Sequence, residues 1–368
     1  MKNLKHSNRV RLLALCAAIL FVYSCKKSQR IESDTKIEPT LPYHYKNSIL
    51  GAGKRFDGDA VFTTSQLETI TDSYGSNRNY LNANTVLDFT FIAPIKAIDT
   101  LKKRPFIMLM HGGGFVSGSY TSLEAVARSF AVRGYAAATI EYRLGFNPGA
   151  IPCLTGDSLE VLKAVYRATQ DANAAMRYFV KNADTYGIDT AQLYVFGSSA
   201  GNVISTSMLY NSQTFYDSKI ANLQTNLGAL TTASNAIVAN FNIKAELSVT
   251  GYGLFDKTFI TPAKARPAFY MQGSIDATLP LNYGPVFNCP LGTYGHTYGS
   301  AVAADLLGKL KFPYEHYVDE GADHDISAHY PSTYYIPKMA AFLKRLWKGE
   351  YKQLAYKTFT PTKNETLR

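Results

Sequence analysis

The sequence predicts an α/β domain built on a mostly parallel sheet with helices on both faces, and three observations predict it. Short apolar, β-branched or aromatic runs alternate with longer stretches whose apolar residues recur every three or four positions. A Gly-x-Ser-x-Gly pentapeptide, Gly197-Ser198-Ser199-Ala200-Gly201, stands directly between one such run and one such stretch. A run of glycines, His111-Gly112-Gly113-Gly114-Phe115, follows another apolar run. With 368 residues, 46% hydrophobic and 18% charged, the chain has the composition of a folded globular protein and can bury a full-sized core.

The N-terminus stands apart from that domain. Lys2, Lys5, Arg9 and Arg11 precede an apolar run over 12–23, which is the pattern of a secretory signal over 1–24 and is short for a membrane span. Val22-Tyr23-Ser24-Cys25 resembles a bacterial lipobox, in which the cysteine is acylated and becomes the new N-terminus; an ordinary signal peptide and an uncut anchor are the alternatives. Acylation would hold the protein on a membrane, because each buried CH₂ contributes roughly 0.8 kcal/mol. The expected location is therefore outside the cytoplasm, lipid-anchored through Cys25. Residues 25–45, polar with Pro39 and Pro42, read as a tether.

Charge excludes one class of partner. The net charge of +10 falls to +6 once the four positive residues ahead of Cys25 are set aside, and the remaining basic residues are scattered. Lys26, Lys27 and Arg30 lie beside the expected anchor, where anionic lipid attracts them, and no basic stripe interleaved with aromatics is present. Nucleic acid is not an expected partner.

The folded domain is expected over 46–350, with 351–368 a C-terminal tail. Its strands are expected at 86–92, 106–110, 136–142, 192–196, 244–250, 268–272 and 314–318, each ending at a Gly, Pro or polar cluster. The clearest helix covers 158–182, where Val161, Val165, Ala168, Ala172, Met176, Phe179 and Val180 fall on one face. Others are expected at 122–132, 202–210, 300–310 and 331–347. In such sheets the ligand site lies outside the carboxyl ends of the strands, so the residues just past each strand are where chemistry is to be sought.

After the strand ending at Phe196, a tight turn leading into a helix is the context the pentapeptide requires, with Ser199 at its tip. The flanking glycines are needed because a Cβ there would collide with neighbouring backbone. After the strand ending at Met110, the glycine run lets backbone N–H groups converge on one spot, where each donor aimed at a developing oxyanion lowers the barrier by roughly 3 kcal/mol. A phosphate-cradling loop is the rival reading, but neither dinucleotide nor P-loop spacing follows.

Residues His111 to Phe115 resemble the HGGG motif of lipases and carboxylesterases with the α/β-hydrolase fold, and Tyr142-Arg143-Leu144-Gly145-Phe146 resembles the same branch. The likeness covers roughly 86–347. It implies oxyanion donors at Gly113, Gly114 and Ala200, with His111 anchoring the loop. It also implies the order nucleophile, acid, histidine along the chain. Gly273-Ser274-Ile275-Asp276-Ala277-Thr278-Leu279-Pro280 is similar to the acid loop of esterases and acyl-peptidases outside that branch, and Glu320-Gly321-Ala322-Asp323-His324 to the histidine loop. The implied triad is Ser199, Asp276 and His324. Asp323 and Asp325 are rival acids, though neighbours in a loop seldom reach the far ring nitrogen. His296 is a candidate for the pocket lining or a rival base, and His316 is expected as a packed strand residue.

Two segments exceed what the bare fold needs: 211–242, where this fold commonly inserts a lid, and 281–298, which lengthens the acid loop; both are expected to border the site. In an exported chain Cys153 and Cys289 are expected either as a disulfide pinning the pocket mouth or as two free thiols. The leading functional expectation is a serine ester hydrolase that needs no metal or organic cofactor, with esterified glycans or aryl esters as substrate classes. Alternatives are a serine peptidase of the acyl-aminopeptidase or prolyl-oligopeptidase type and an inactive binding lipoprotein on the same fold.

Overall fold

A computed structural model describes residues 45–359 and 364–367. The expected signal, Cys25 and nearly all of the tether lie outside the described residues. Among the described residues twelve strands occur in chain order: β1 Leu67–Arg78, β2 Asn84–Pro94, β3 Arg104–Met110, β4 Ala136–Ile140, β5 Ile188–Ser198, β6 Ile243–Val249, β7 Ala268–Gly273, β8 Tyr283–Pro285, β9 His296–Tyr298, β10 Tyr314–Glu320, β11 Gln353–Phe359 and β12 Asn364–Leu367. Ten of them form one sheet in the order β1-β2-β4-β3-β5-β6-β7-β10-β11-β12, while β8 and β9 make a separate antiparallel ribbon. Pairing is parallel from β4 through β11. Strand β2 pairs antiparallel with both β1 and β4, and β12 pairs antiparallel with β11. This is the α/β-hydrolase fold.

The longer helices are α1 Glu124–Ala131, α2 Ser158–Lys181, α3 Ala200–Tyr210, α4 Ser300–Lys309 and α5 Ser332–Lys348. Because successive side chains of a strand face opposite ways, a doubly covered strand is apolar throughout. Strand β3 shows this. Phe106, Met108 and Met110 meet Met176 and Phe179 of α2 and Val203 of α3 in one core. Ile107 and Leu109 meet Phe130 of α1 and Ile336, Leu343 and Trp347 of α5 in the other.

The strands and helices read from periodicity occur close to their expected limits, and the differences sit at the edges of the sheet. Strand β1 was not expected, because Tyr74 alone of its twelve residues is buried and no apolar alternation marks it. The expected tail after residue 350 instead supplies β11 and β12, which carry the sheet past β10. The strand expected to reach Tyr142 ends at Ile140, and the next residues leave the sheet to hold the glycine loop.

Segment 211–242 lies along α2. Its two short helices, Gln213–Asp217 and Leu223–Leu227, and the turn between them pack through Tyr216, Ile220 and Leu223 on Leu162 and Tyr166. Farther on, α2 side chains take up its carbonyls: Gln170 Nε2 donates to Leu227 and Gly228, both at 2.9 Å, and Arg177 donates to Ala233 and Ile237, both at 2.8 Å.

Candidate active site

Ser199 joins β5 to α3 with φ 53° and ψ −118°, a region that a residue with a Cβ enters only under constraint. The constraint is visible. Its N–H donates to Thr250 O at 3.0 Å, and Asn202 Nδ2 clamps the same loop by donating to Val249 O at 2.6 Å and Gly251 O at 2.7 Å. Both flanking glycines are required by close approach: a Cβ on Gly197 would lie 2.5 Å from Asn202 Oδ1, and one on Gly201 2.0 Å from Met110 O.

His324 Nε2 lies 2.8 Å from Ser199 Oγ, and its Nδ1 lies 2.9 Å from each oxygen of Asp276. A carboxylate only accepts, so the arrangement puts the ring proton on Nδ1 and leaves Nε2 free to accept the serine proton. Asp276 is buried, and its Oδ1 also accepts the N–H groups of Thr278 and Leu279, both at 2.9 Å. The structure thus brings the three expected triad residues together. Asp323 serves the backbone instead: its Oδ1 accepts from Ala277 N at 3.1 Å and from His324 N at 2.7 Å, tying the histidine loop to the acid loop. Asp325 is exposed, and the ring nitrogen for which it was a candidate faces Asp276. His316 is buried in β10, where its Nε2 lies 3.0 Å from Ser300 Oγ.

Gln272 was not singled out, yet it links these groups. Its Oε1 accepts from Ser300 Oγ at 2.6 Å, while its Nε2 donates to Leu279 O at 2.6 Å and reaches Asp276 Oδ2 at 3.3 Å. The available signal was an amide closing an otherwise apolar strand just before the acid loop.

The glycine loop abuts the elbow, since a Cβ on Gly112 would stand 3.1 Å from the Cβ of Ser199. Gly113 and Gly114 have φ of +110° and +60°, and a Cβ on Gly113 would lie 2.0 Å from Ser117 O. Among the described residues the N–H groups of Gly113, Gly114 and Ala200 make no hydrogen bond, and that of Ala200 opens α3 at its electropositive end. His111 is buried beneath the loop. Its ring stacks on Tyr142 at 4.3 Å, and its Nε2 lies 3.3 Å from Glu141. The Tyr142 hydroxyl donates to His111 O at 2.8 Å, so the residues after β4 hold the loop from below.

Ser199 opens on a narrow apolar slot of about 20 Å³, walled by Phe115, Val161, Val203, Leu279, Val286 and Phe287. Much of that wall comes from 281–298, which a disulfide between Cys153 and Cys289 ties to the chain after β4. Tyr294 adds a second tie, its hydroxyl donating to Pro148 O at 2.7 Å. No residue of 211–242 lines the slot. That segment, expected as a lid, comes no nearer to Ser199 than a neighbouring cleft of about 630 Å³, which it lines through Ser212, Thr214, Phe215, Ser218 and Lys219, because the rest of it is bonded along α2. A larger groove of about 1010 Å³, between β1 and residues 226–236, contains none of the triad. Among the described residues no three His, Cys, Asp or Glu side chains gather as a metal site requires.

Residues 96–256 match the family model described as BD-FAE. Over 117 residues, 31% of the chain, the sequence is 33% identical to gut esterase 1 of Caenorhabditis elegans, of whose length it spans about a fifth, 19%. Among solved structures, esterase 2 of Thermogutta terrifontis with butyrate bound is similar at 16% identity and a TM-score of 0.47, over 72% of this chain and 86% of that one. Esterase B of Lactobacillus rhamnosis is similar at 15% identity and a TM-score of 0.48, over 79% of this chain and 89% of that one.

Proposed function

We propose that the chain is a serine carboxylic-ester hydrolase that works through an acyl-enzyme on Ser199. The observation that carries this reading is the unbroken line from Ser199 Oγ to His324 Nε2 at 2.8 Å and from Nδ1 to Asp276 at 2.9 Å. A serine hydroxyl is a weak nucleophile until a base takes its proton, and that base works only when held in one tautomer. Ser199 Oγ attacks the ester carbonyl carbon as its proton passes to Nε2. The carbonyl oxygen becomes an oxyanion and accepts hydrogen bonds from the uncommitted amides of Gly113, Gly114 and Ala200. The bond to the alcohol then breaks, and His324 gives its proton to the departing oxygen. Water repeats the cycle against the acyl-serine and releases the acid.

Asp276 keeps the imidazole oriented and stabilises its protonated form. Replacing Ser199 by Ala is expected to lower kcat on 4-nitrophenyl acetate by on the order of a million-fold while the fold is retained. Retention of most of the activity, or labelling of the parent by a fluorophosphonate at a residue other than Ser199, would overturn the assignment. An exported, lipid-anchored setting through Cys25, and esterified glycans or aryl esters as substrates, belong to the same proposal. The aromatic side chains Phe215, Phe255, Phe259 and Tyr294 around the neighbouring cleft would stack on the ring of an aryl acyl group that extended beyond the slot.

A further inference from the structure

The slot beside Ser199 and the cleft beyond it differ in volume by more than an order of magnitude, about 20 Å³ against about 630 Å³, and three residues line both: Phe255, Tyr294 and His296. These three are the partition between the two spaces. Neither space is lined by His324. In the ester-hydrolase reading the departing alcohol must stay within reach of His324 Nε2, from which it takes its proton, so the alcohol occupies the histidine side. The acyl group therefore points into the slot, whose apolar walls suit a hydrocarbon and whose volume admits roughly one water-sized group.

The three partition residues are held very differently. Tyr294 is buried, with its hydroxyl bonded to Pro148 O at 2.7 Å and accepting from Cys153 N at 3.4 Å, next to the disulfide. Phe255 is half-buried against Phe215, with ring centres 5.9 Å apart. His296 is exposed and makes no hydrogen bond among the described residues. It lies over Gly292, where a Cβ would stand 2.4 Å from its Cε1, and it stacks at 5.5 Å on Tyr283, itself exposed. Of the three, the imidazole alone can swing out without breaking a hydrogen bond or opening the core.

We propose that His296 is the specificity-determining partition of the acyl channel. With the ring in place the slot takes an acetyl-sized group; with the ring displaced or removed, the slot runs on into the cleft bordered by Phe215 and Phe259, and a longer acyl group threads through. The proposal rests on the ester-hydrolase reading and adds to it which half of the ester each space receives.

The test is the ratio of kcat/KM on 4-nitrophenyl octanoate to that on 4-nitrophenyl acetate, measured in the parent, in His296→Ala and in Phe255→Ala. Removing the imidazole is expected to raise the ratio at least tenfold, and Phe255→Ala, which opens the partition from the other side, to raise it in the same direction. His296→Trp, which thickens the partition, is expected to lower it. A ratio that rises less than threefold in His296→Ala, with acetate hydrolysis still abolished by Ser199→Ala, overturns the partition and leaves the ester-hydrolase reading standing. Acetate hydrolysis that survives Ser199→Ala sinks that reading instead, so the two failures are told apart.

Discussion

Asp276 and Glu246 are carboxylates of neighbouring parts of one sheet, 5% and 1% exposed, and they are furnished in opposite ways. Asp276 follows β7, and both of its oxygens meet donors: two backbone N–H groups on Oδ1, Gln272 Nε2 near Oδ2, and the His324 ring across both. Glu246 sits inside β6 with no ion pair among the described residues. Its Oε1 takes the hydroxyls of Tyr270 at 2.8 Å, Tyr252 at 3.0 Å and Tyr210 at 3.5 Å, while its Oε2 is buried without a partner. Burial pushes the Glu246 carboxyl up to about 7, against the lowering effect of those three hydrogen bonds. Equal burial is thus compatible with a carboxylate prepared to face an imidazolium and with one that is easily kept neutral. What differs is where the donors fall: on both oxygens of Asp276, and on one oxygen of Glu246.

Asp276 is the more sensitive of the two carboxylates to loss of its charge. In Asp276→Asn, one amide oxygen can still accept from Thr278 and Leu279, but the amide NH₂ then faces His324 Nδ1 and favours the tautomer with its proton on Nε2. That tautomer cannot take the Ser199 proton. A loss of about 10⁴-fold in kcat on 4-nitrophenyl acetate is expected, with the thermal midpoint little changed. A loss below tenfold would mean that the donors around Asp276 are structural and that another group orients the base.

Glu246→Gln tests the other side. A group whose folded pKa is raised binds its proton more tightly in the folded state, so its stabilising contribution is complete below the unfolded value of 4.5 and is lost as pH rises through about 7. The parent should therefore lose stability between pH 5 and pH 8 by up to about 3 kcal/mol from this one site, on the scale of about 1.4 kcal/mol per unit. The glutamine cannot titrate, so its urea-unfolding free energy relative to the parent should rise by that amount across the same range. Activity should stay within about twofold, because the side chain touches nothing in the triad. Parallel pH profiles for the two proteins would remove Glu246 as the source.

The same contrast separates what the sequence disclosed from what it withheld. The elbow was legible because its pattern is local: Gly197 and Gly201 bracket Ser199 within five residues, between a strand and a helix, although the backbone that excludes a Cβ at Gly201 belongs to Met110 of β3. Asp276 and His324 were legible from resemblance and order along the chain. Gln272 and Glu246 were not, because their roles depend on partners that only the sheet brings together: Ser300 and Leu279 for the first, tyrosines 210, 252 and 270 for the second. A carboxylate at the centre of an inner strand was a visible anomaly, but nothing nearby in sequence said what would answer it. Edge strands failed for the reverse reason. Strand β1 buries one side chain, so no periodicity betrays it, whereas the doubly covered β3 is apolar at nearly every position.

The three tyrosines around Glu246 are not equivalent donors. Tyr270→Phe removes the shortest of the three donors and leaves the ring in its edge-on contact with Tyr252, centres 4.9 Å apart, so the change is one oxygen in an otherwise intact core. A hydrogen bond to a charged acceptor is worth roughly 1.5–3 kcal/mol and one to a neutral acceptor nearer 1. At pH 5 Glu246 is protonated in the folded protein, and the substitution should cost about 1 kcal/mol. At pH 8 the carboxyl is ionised with one donor fewer, and the cost should rise to about 2 kcal/mol. Losing the donor lifts the folded pKa further, so the extra cost is absent below pH 4.5 and grows as pH passes about 7. Urea unfolding of parent and variant at the two pH values measures the difference. An equal cost at both would mean that the Tyr270 hydroxyl does not sense the charge on Glu246, and that its contribution is packing alone.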